Sequence, residues 1–231
     1  MILGSGLLAK AFSVDWQSSR DVCIYAAGVS NSTNRDVSEF IRDRQRLETA
    51  LNAQRGVDAF VYFGTCSVGD RELQCTPYVQ HKIAMEQLVL QHSKPLIIRL
   101  PQLAGHTSNP HTLLNFLHAH IISGEKFILW EKAYRNIIDV ADVVTLANVL
   151  IKNPAARGRF FNLANMRCLP MLQIVSAMER VVGKRGVYQV LERGYRYEID
   201  VKDMQVVLKK TGIVFDENYL PRVLRKYYEP A

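Results

Sequence analysis

"MILGSGLLAKAF" (1–12) is the stretch on which the fold turns. A short apolar run, Ile2-Leu3, enters a turn built on Gly4 and Gly6, and Ala9 completes a G-x-G-x-x-A spacing. From Leu7 the pattern turns helical. In a strand–turn–helix unit the first glycine makes the turn. The second lets the backbone approach a pyrophosphate, and the third small residue lets helix pack on strand. The N-terminus of the helix then offers amides to an anion. A glycine turn of this kind also occurs without any ligand, so its neighbours must carry the rest.

Those neighbours alternate strand and helix. "DVCIYAAG" (21–28) reads as a buried strand. "DVSEFIRDRQRLETALNAQRG" (36–56) follows as a helix with Val37, Phe40, Ile41, Leu47 and Leu51 on one face and Gly56 ending it. "DAFVYFGTCS" (58–67) is the next strand, "TPYVQHKIAMEQLVLQHS" (76–93) the next helix, and "PLIIRLP" (95–101) a further strand. Strands this apolar, separated by helices, predict a parallel sheet covered on both faces. Beyond it, "AGHTSNPHTLLNFLHAHIISG" (104–124) predicts a helix begun by Asn109 and Pro110 and closed by Gly124. "KFILW" and "GRFFNLAN" look like later strands, with "VADVVTLANVLIKN", "LPMLQIVSAMERVVGK" and "ENYLPRVLRKYY" as helices. No linker or repeat interrupts the pattern. The expected layout is a single domain, 1–231, with a core over 1–103 and later sheet elements plus a small lobe over 104–231.

Composition narrows the classes. Of the 231 residues 48% are hydrophobic, enough for a sizeable core. "MILGSGLLAK" lacks a basic segment followed by a long apolar run, so no signal peptide is expected. "PLIIRLPQLAG" is broken by Arg99 and Pro101, so no membrane span is expected either. Cys23, Cys66, Cys75 and Cys168 form no CxxC pair, which fits a reducing cytoplasm. The net charge is +7, but the basic residues are scattered and no basic run is interleaved with aromatics. A small phosphate-bearing ligand therefore fits better than nucleic acid. His118 and His120 are two apart on a helix and face different ways, so no metal site is expected.

"TPYVQHK" (76–82) places Tyr78 and Lys82 one helical turn apart, after a Thr cap and a Pro start. On spacing alone two readings stay open. The pair is an ordinary helix surface, or the ammonium lowers the phenol's pKa and makes Tyr78 an acid/base near neutral pH.

Taken together, "GSGLLA", "IYAAG", "VYFGTCSVGD", "PYVQHK", "YRNIIDVADVV" and "FNLAN" occur in the order found in a known family. The chain resembles the extended short-chain dehydrogenase/reductases, in the NAD-dependent epimerase/dehydratase branch that acts on nucleotide sugars. The resemblance implies that Tyr78 is the general acid/base and that Lys82 lowers its pKa and holds the nicotinamide ribose. It implies Thr65 as the third catalytic member, hydrogen-bonding the sugar oxygen, with Ser67 as the fallback and a substrate contact. Gly4, Gly6, Leu7, Ala27, Gly28, Lys82 and Pro101 would contact NAD or NADP. Arg135 would bind the nucleotide diphosphate, its fork suiting two oxygens at once; a surface salt bridge is the plain alternative.

Two departures matter. The family's 4,6-dehydratases carry Asp-Glu after the active-site Thr, whereas this chain has Cys66-Ser67, which leaves ketoreductase or epimerase. His81 precedes the lysine where the family often has Ser, and either tunes the site or faces solvent. The larger departure is a gap. Only "KAFSVDWQSSR" (10–20) lies between Ala9 and Asp21, too short for a crossover helix and two strands. The expectation is an abbreviated Rossmann-like, doubly wound α/β sheet, its second and third strands largely missing, with a small C-terminal substrate-binding lobe. The side chain that chooses NAD or NADP goes missing with them, unless Asp15 substitutes. The implied function is a nucleotide-sugar ketoreductase or epimerase using Thr65, Tyr78 and Lys82, serving surface polysaccharide synthesis as a cytoplasmic homodimer. The homodimer would form through the helices near 36–55 and 78–92, where Met85, Leu88 and Val89 look more apolar than one buried face needs. The alternative is a non-catalytic protein that keeps the fold and binds a nucleotide sugar or dinucleotide.

Overall fold

The computed structural model describes residues 1–230. Strand β1 (Ile2–Leu3) runs through the glycine turn into α1 (Leu7–Trp16) and on to β2 (Val22–Tyr25). Helix α2 (Val37–Ala53), β3 (Ala59–Thr65), α3 (Pro77–Val89) and β4 (Pro95–Leu100) follow. Next come β5 (Gln102–Ala104), α4 (Leu113–Ser123), β6 (Phe127–Trp130), β7 (Tyr134–Arg135) and β8 (Ile137–Asp139). Then come α5 (Val140–Ile151), β9 (Arg159–Asn162), β10 (Leu169–Pro170) and α6 (Met171–Val182). Strand β11 (Tyr188–Leu191), α7 (Met204–Leu208) and α8 (Tyr219–Tyr228) complete the order.

The chain forms two compact units, and they interleave along the sequence. The first comprises 1–100, 140–163 and 199–211; the second comprises 101–139, 164–198 and the residues from 212 on. The segment after 103 is therefore shared between core and second unit, with α5, β9 and α7 returning to the core.

In the first unit five parallel strands lie in the order β1-β2-β3-β4-β9. A full Rossmann sheet has the order 3-2-1-4-5-6. Here β1 is an edge, and α1 leads straight to the strand beside it. Among the described residues the second and third strands of the full pattern are missing, as the short 10–20 segment requires. Every residue of β2 is buried, and so are the first five of β3, because helices cover both faces. On one face Tyr25, Phe60 and Tyr62 pack with Leu47 and Ala50 of α2 and with Met85 and Val89 of α3. On the other, Phe12 of α1 meets Phe63 with ring centroids 5.3 Å apart.

Three local expectations are corrected. Helix α4 starts at Leu113, because the Asn109 side chain accepts from the His111 amide and holds a turn ahead of it. Helix α2 buries Asp43, Leu47 and Ala50, while Val37 and Ile41 are exposed. Leu47 is buried as expected and Phe40 and Leu51 are half-buried, so the inward face departs from the expected stripe at Val37 and Ile41, and a carboxylate shares it. Met85 and Val89 belong to the core, so they supply no spare apolar face for assembly.

The second unit holds three two-stranded pairs, β5–β8 and β6–β11 parallel and β7–β10 antiparallel. Leu114, Leu117, Ile121, Ile174, Met178 and Leu224 form its core under α4, α6 and α8. Among the described residues no helix is long and apolar enough to cross a membrane.

Candidate active site

The glycine turn is dictated by its surroundings. Gly4 has φ +134°, and a Cβ there would lie 2.5 Å from the Ala26 carbonyl oxygen. The Ala26 amide meanwhile donates to the Leu3 carbonyl at 2.8 Å, tying β1 to the end of β2. Only glycine fits. Gly6 precedes α1, no side chain caps that helix, and a Cβ on Gly6 would meet nothing within 4 Å. Open space therefore lies before the first amides of a helix with no acidic residue in its first turn, Leu7 being half-buried there. That arrangement fits a pyrophosphate. Gly28, at φ +125° just after Ala27, is the second close approach: a Cβ would sit 3.2 Å from both Asp43 carboxylate oxygens and 3.5 Å from Lys82 Nζ.

Thr65 ends β3, and its hydroxyl accepts from the Ser67 amide at 3.2 Å, capping a 3₁₀ turn over Cys66–Gly69. Ser67 is half-buried in that turn. Thr76 caps α3 by accepting from the Val79 amide, and Pro77 fills the first helical position. Tyr78 and Lys82 are both buried on the α3 face toward the sheet, and Lys82 Nζ is 5.8 Å from the centroids of the Tyr78 and Tyr62 rings. The Thr65 hydroxyl lies beside the Tyr78 phenol. Thr65, Tyr78, Lys82, Gly4, Gly6, Ala27 and Gly28 all belong to the first unit. Pro101 and Arg135 belong to the second. Pro101 follows β4 directly; Arg135 lies in β7, its guanidinium donating to the Tyr134 carbonyl at 2.8 Å.

The expected low phenol pKa is corrected. Burial pushes the Tyr78 phenol up to about 12, the neighbouring Thr65 hydroxyl offsets only part of that, and Asp43 adds to the rise. Burial also lowers Lys82, against the opposing pull of Asp43 and Glu86. Burial of the phenol thus outweighs any pull from the ammonium. Absorbance titration of the ligand-free protein at 295 nm should show no ionisation attributable to Tyr78 below about pH 10. A phenolate signal between pH 7 and 9 that vanishes in Tyr78→Phe would contradict this. Since the folded pKa is raised, the stability it carries is intact below the unfolded value near 10. It is lost as pH rises toward about 12.

Sequence reasoning missed Asp43, which is 2% exposed and accepts from His81 Nε2 at 2.9 Å and from the Val29 amide at 3.2 Å. His81 faces inward, stacked on Phe40 with centroids 4.6 Å apart, so its solvent-facing reading is set aside. The only sequence signal was an acid on the inward stripe of α2. Asp15 sits at the far end of α1 from the glycine turn and accepts from Asn148 on α5, so it packs helices. Among the described residues no group of three or more His, Cys, Asp or Glu side chains is placed to hold a metal.

A sequence profile of the NAD dependent epimerase/dehydratase family matches residues 17–164. The chain belongs to that family, whose members are enzymes; the glycine turn lies ahead of the matched span. A search of curated proteins finds no significant match. Among solved structures the chain is similar to UDP-glucuronic acid 4-epimerase from Bacillus cereus in complex with UDP-glucuronic acid and NAD. That match has TM-score 0.77 and 15% identity, covering 98% of this chain and 88% of the other. A second is dTDP-glucose 4,6-dehydratase from Bacillus anthracis in complex with NAD, with TM-score 0.68, 16% identity and coverage of 90% and 71%. A third is RMD from Pseudomonas aeruginosa complexed with NADPH, with TM-score 0.64, 17% identity and coverage of 91% and 81%. At these identities the likeness is one of fold.

Proposed function

We propose that this chain is an NAD(P)-dependent nucleotide-sugar ketoreductase or epimerase working through Thr65, Tyr78 and Lys82. The observation that carries this is the Tyr78 phenol buried beside the Thr65 hydroxyl, with the Lys82 ammonium alongside and the glycine turn in the same unit. A bound nicotinamide would supply the carbon that gives or takes hydride. The side chains of this chain do the remainder. Tyr78 holds a proton at Oη, the form that serves a carbonyl oxygen becoming a hydroxyl. Thr65, its oxygen already accepting from the Ser67 amide, has its own hydroxyl proton to donate to that oxygen. Gly4, Gly6 and Leu7 would cradle the pyrophosphate, Lys82 would hold the nicotinamide ribose, and Ala27, Gly28 and Pro101 would line the cofactor's course. Ser67 and Arg135 would contact substrate. Cys66-Ser67 supplies no acid for elimination, which weighs against a dehydratase.

Service in surface polysaccharide synthesis, in the cytoplasm, is part of the same reading. A homodimer is too, with Val37 and Ile41, 65% and 51% exposed on α2, as its apolar contact. Static light scattering at micromolar concentration should give twice the chain mass; a monomer would count against it. Arg135→Ala should weaken nucleotide-sugar binding roughly tenfold or more and leave dinucleotide binding nearly unchanged, the scale of a lost charged hydrogen bond. Calorimetry showing equal loss of both, or of neither, would remove Arg135 from the substrate site.

One observation favours a second reading, a non-catalytic binding protein: among the described residues β1 is the sheet edge, with no strand beyond it to wall an adenosine. A thermal-shift screen of NAD(H), NADP(H) and nucleotide sugars tests the proposal first, because native-state ligands raise the melting temperature. A shift with sugars but with no dinucleotide would favour the binding protein.

A further inference from the structure

We propose that Asp43 and His81 form a positioning pair for Lys82, fixing a buried counter-charge beside the ammonium. The inference rests on the reading of Lys82 as a cofactor-site residue, and it concerns two side chains to which nothing else assigns a part. Three elements converge on Asp43. It stands on α2, its Oδ2 accepts from His81 Nε2 on α3, and the carboxylate accepts from the Val29 amide just after β2. Its other oxygen, Oδ1, is buried with no hydrogen-bond partner among the described residues. Both carboxylate oxygens and Lys82 Nζ lie close around the same point, the space that a Gly28 side chain would fill.

A buried carboxylate with an unused oxygen is costly unless a positive charge or a strong donor is near. Here burial alone would raise the carboxyl's pKa. Yet the group is held below the ordinary carboxylate range by its bond to His81, by Lys82 and by the Val29 amide. The charge is therefore kept, and it acts on Lys82. The other groups facing the ammonium are accounted for. Glu86, one turn further on α3, is bound by the Arg99 guanidinium at 2.6 Å and 3.0 Å, which takes up much of its charge. Tyr62 on β3 and Tyr78 on α3 present neutral phenols, their pKa values raised by burial. The Tyr25 hydroxyl comes near Asp43 without a well-formed hydrogen bond. Asp43 is thus the largest opposing influence on a lysine whose burial favours the neutral amine.

His81 supplies the geometry. Its ring stacks on Phe40, and Nε2 meets Asp43 Oδ2 at 2.9 Å. Glutamine at 81 keeps a donor of similar reach; phenylalanine keeps the stack and removes the donor.

The test is a pH titration of the Lys82 Nζ signal by ¹⁵N NMR on the full chain without ligands, the signal assigned with Lys82→Arg. Asp43→Asn should lower the Lys82 midpoint by about one pH unit or more, the effect of losing an opposite charge at close range. His81→Phe should lower it in the same direction, because the Asp43 carboxylate, no longer held by Nε2, is free to turn away from the ammonium. His81→Gln should stay near the wild-type midpoint. A merely structural pair would leave the midpoint where it was, so an unchanged value in Asp43→Asn or in His81→Phe overturns the proposal. Should Asp43→Asn not fold, the comparison of His81→Phe with His81→Gln decides. Dinucleotide titration by calorimetry runs beside it. A shifted midpoint with no dinucleotide binding would sink the proposed function and leave the pair standing. Dinucleotide binding with an unshifted midpoint would do the reverse.

Discussion

Replacing Tyr78 by Phe should lower turnover about a hundredfold or more while leaving the fold and ligand binding in place. The side chain is 8% exposed, and its ring stays in the same packing when the hydroxyl goes, so no cavity is made. What is lost is the proton carrier. A hundredfold corresponds to about 2.7 kcal/mol of transition-state stabilisation. The loss should appear in kcat with little change in KM, since the hydroxyl matters most once the oxygen is changing its bonding. The phenol's raised pKa sharpens this. In the ligand-free site it is a proton donor across neutral pH. Thr65→Val should compound the defect less than additively if the two hydroxyls serve one oxygen. A Tyr78→Phe variant turning over at the wild-type rate would exclude Tyr78 as the acid/base.

Dinucleotide binding should be weak, with a dissociation constant of tens of micromolar or more and little preference between NAD and NADP. The reason is the edge position of β1. Dinucleotides sit across the crevice where strand order reverses, and a residue after the second strand bonds the adenosine ribose. That strand is missing here, and Asp15 is committed to Asn148 at the other end of α1. The pyrophosphate turn and Lys82 remain. Each lost hydrogen bond is worth about 1 kcal/mol net, and each lost apolar face about as much. Two or three such losses weaken binding by roughly one to two decades. Sub-micromolar binding of one dinucleotide with strong rejection of the other would mean that some other part of the chain has rebuilt the adenosine pocket.

The legible parts of this molecule were those governed by local rules. Gly4 and Gly6 announced the turn through their spacing. The unbroken apolar runs at 22–25 and 59–63 announced parallel strands, and eleven residues between Ala9 and Asp21 announced the missing pair. Thr76 and Pro77 fixed where α3 begins and so put Tyr78 and Lys82 on one face. What stayed hidden depended on tertiary burial. Spacing gave no measure of how deeply Tyr78 and Lys82 sit, and depth reverses the expected pKa shift. Hydropathy drew the inward stripe of α2 through Val37, Phe40, Ile41, Leu47 and Leu51, of which Val37 and Ile41 face out. The true stripe runs through Asp43, whose polar partners come from two other elements. Interleaving of the two units likewise follows from β9 returning beside β4, a long-range pairing that no local pattern encodes.

The central claim is that this trimmed sheet still supports chemistry at Tyr78. Proton NMR of nucleotide-sugar mixtures, incubated with the protein and saturating NAD(H) or NADP(H), tests it most directly by following the sugar signals over time. The account predicts new signals of a reduced or epimerised nucleotide sugar, growing with wild-type protein and at least about a hundredfold more slowly with Tyr78→Phe. Binding of both a dinucleotide and a nucleotide sugar, with no new sugar signal even at stoichiometric protein over hours, would contradict it and leave a binding protein in its place.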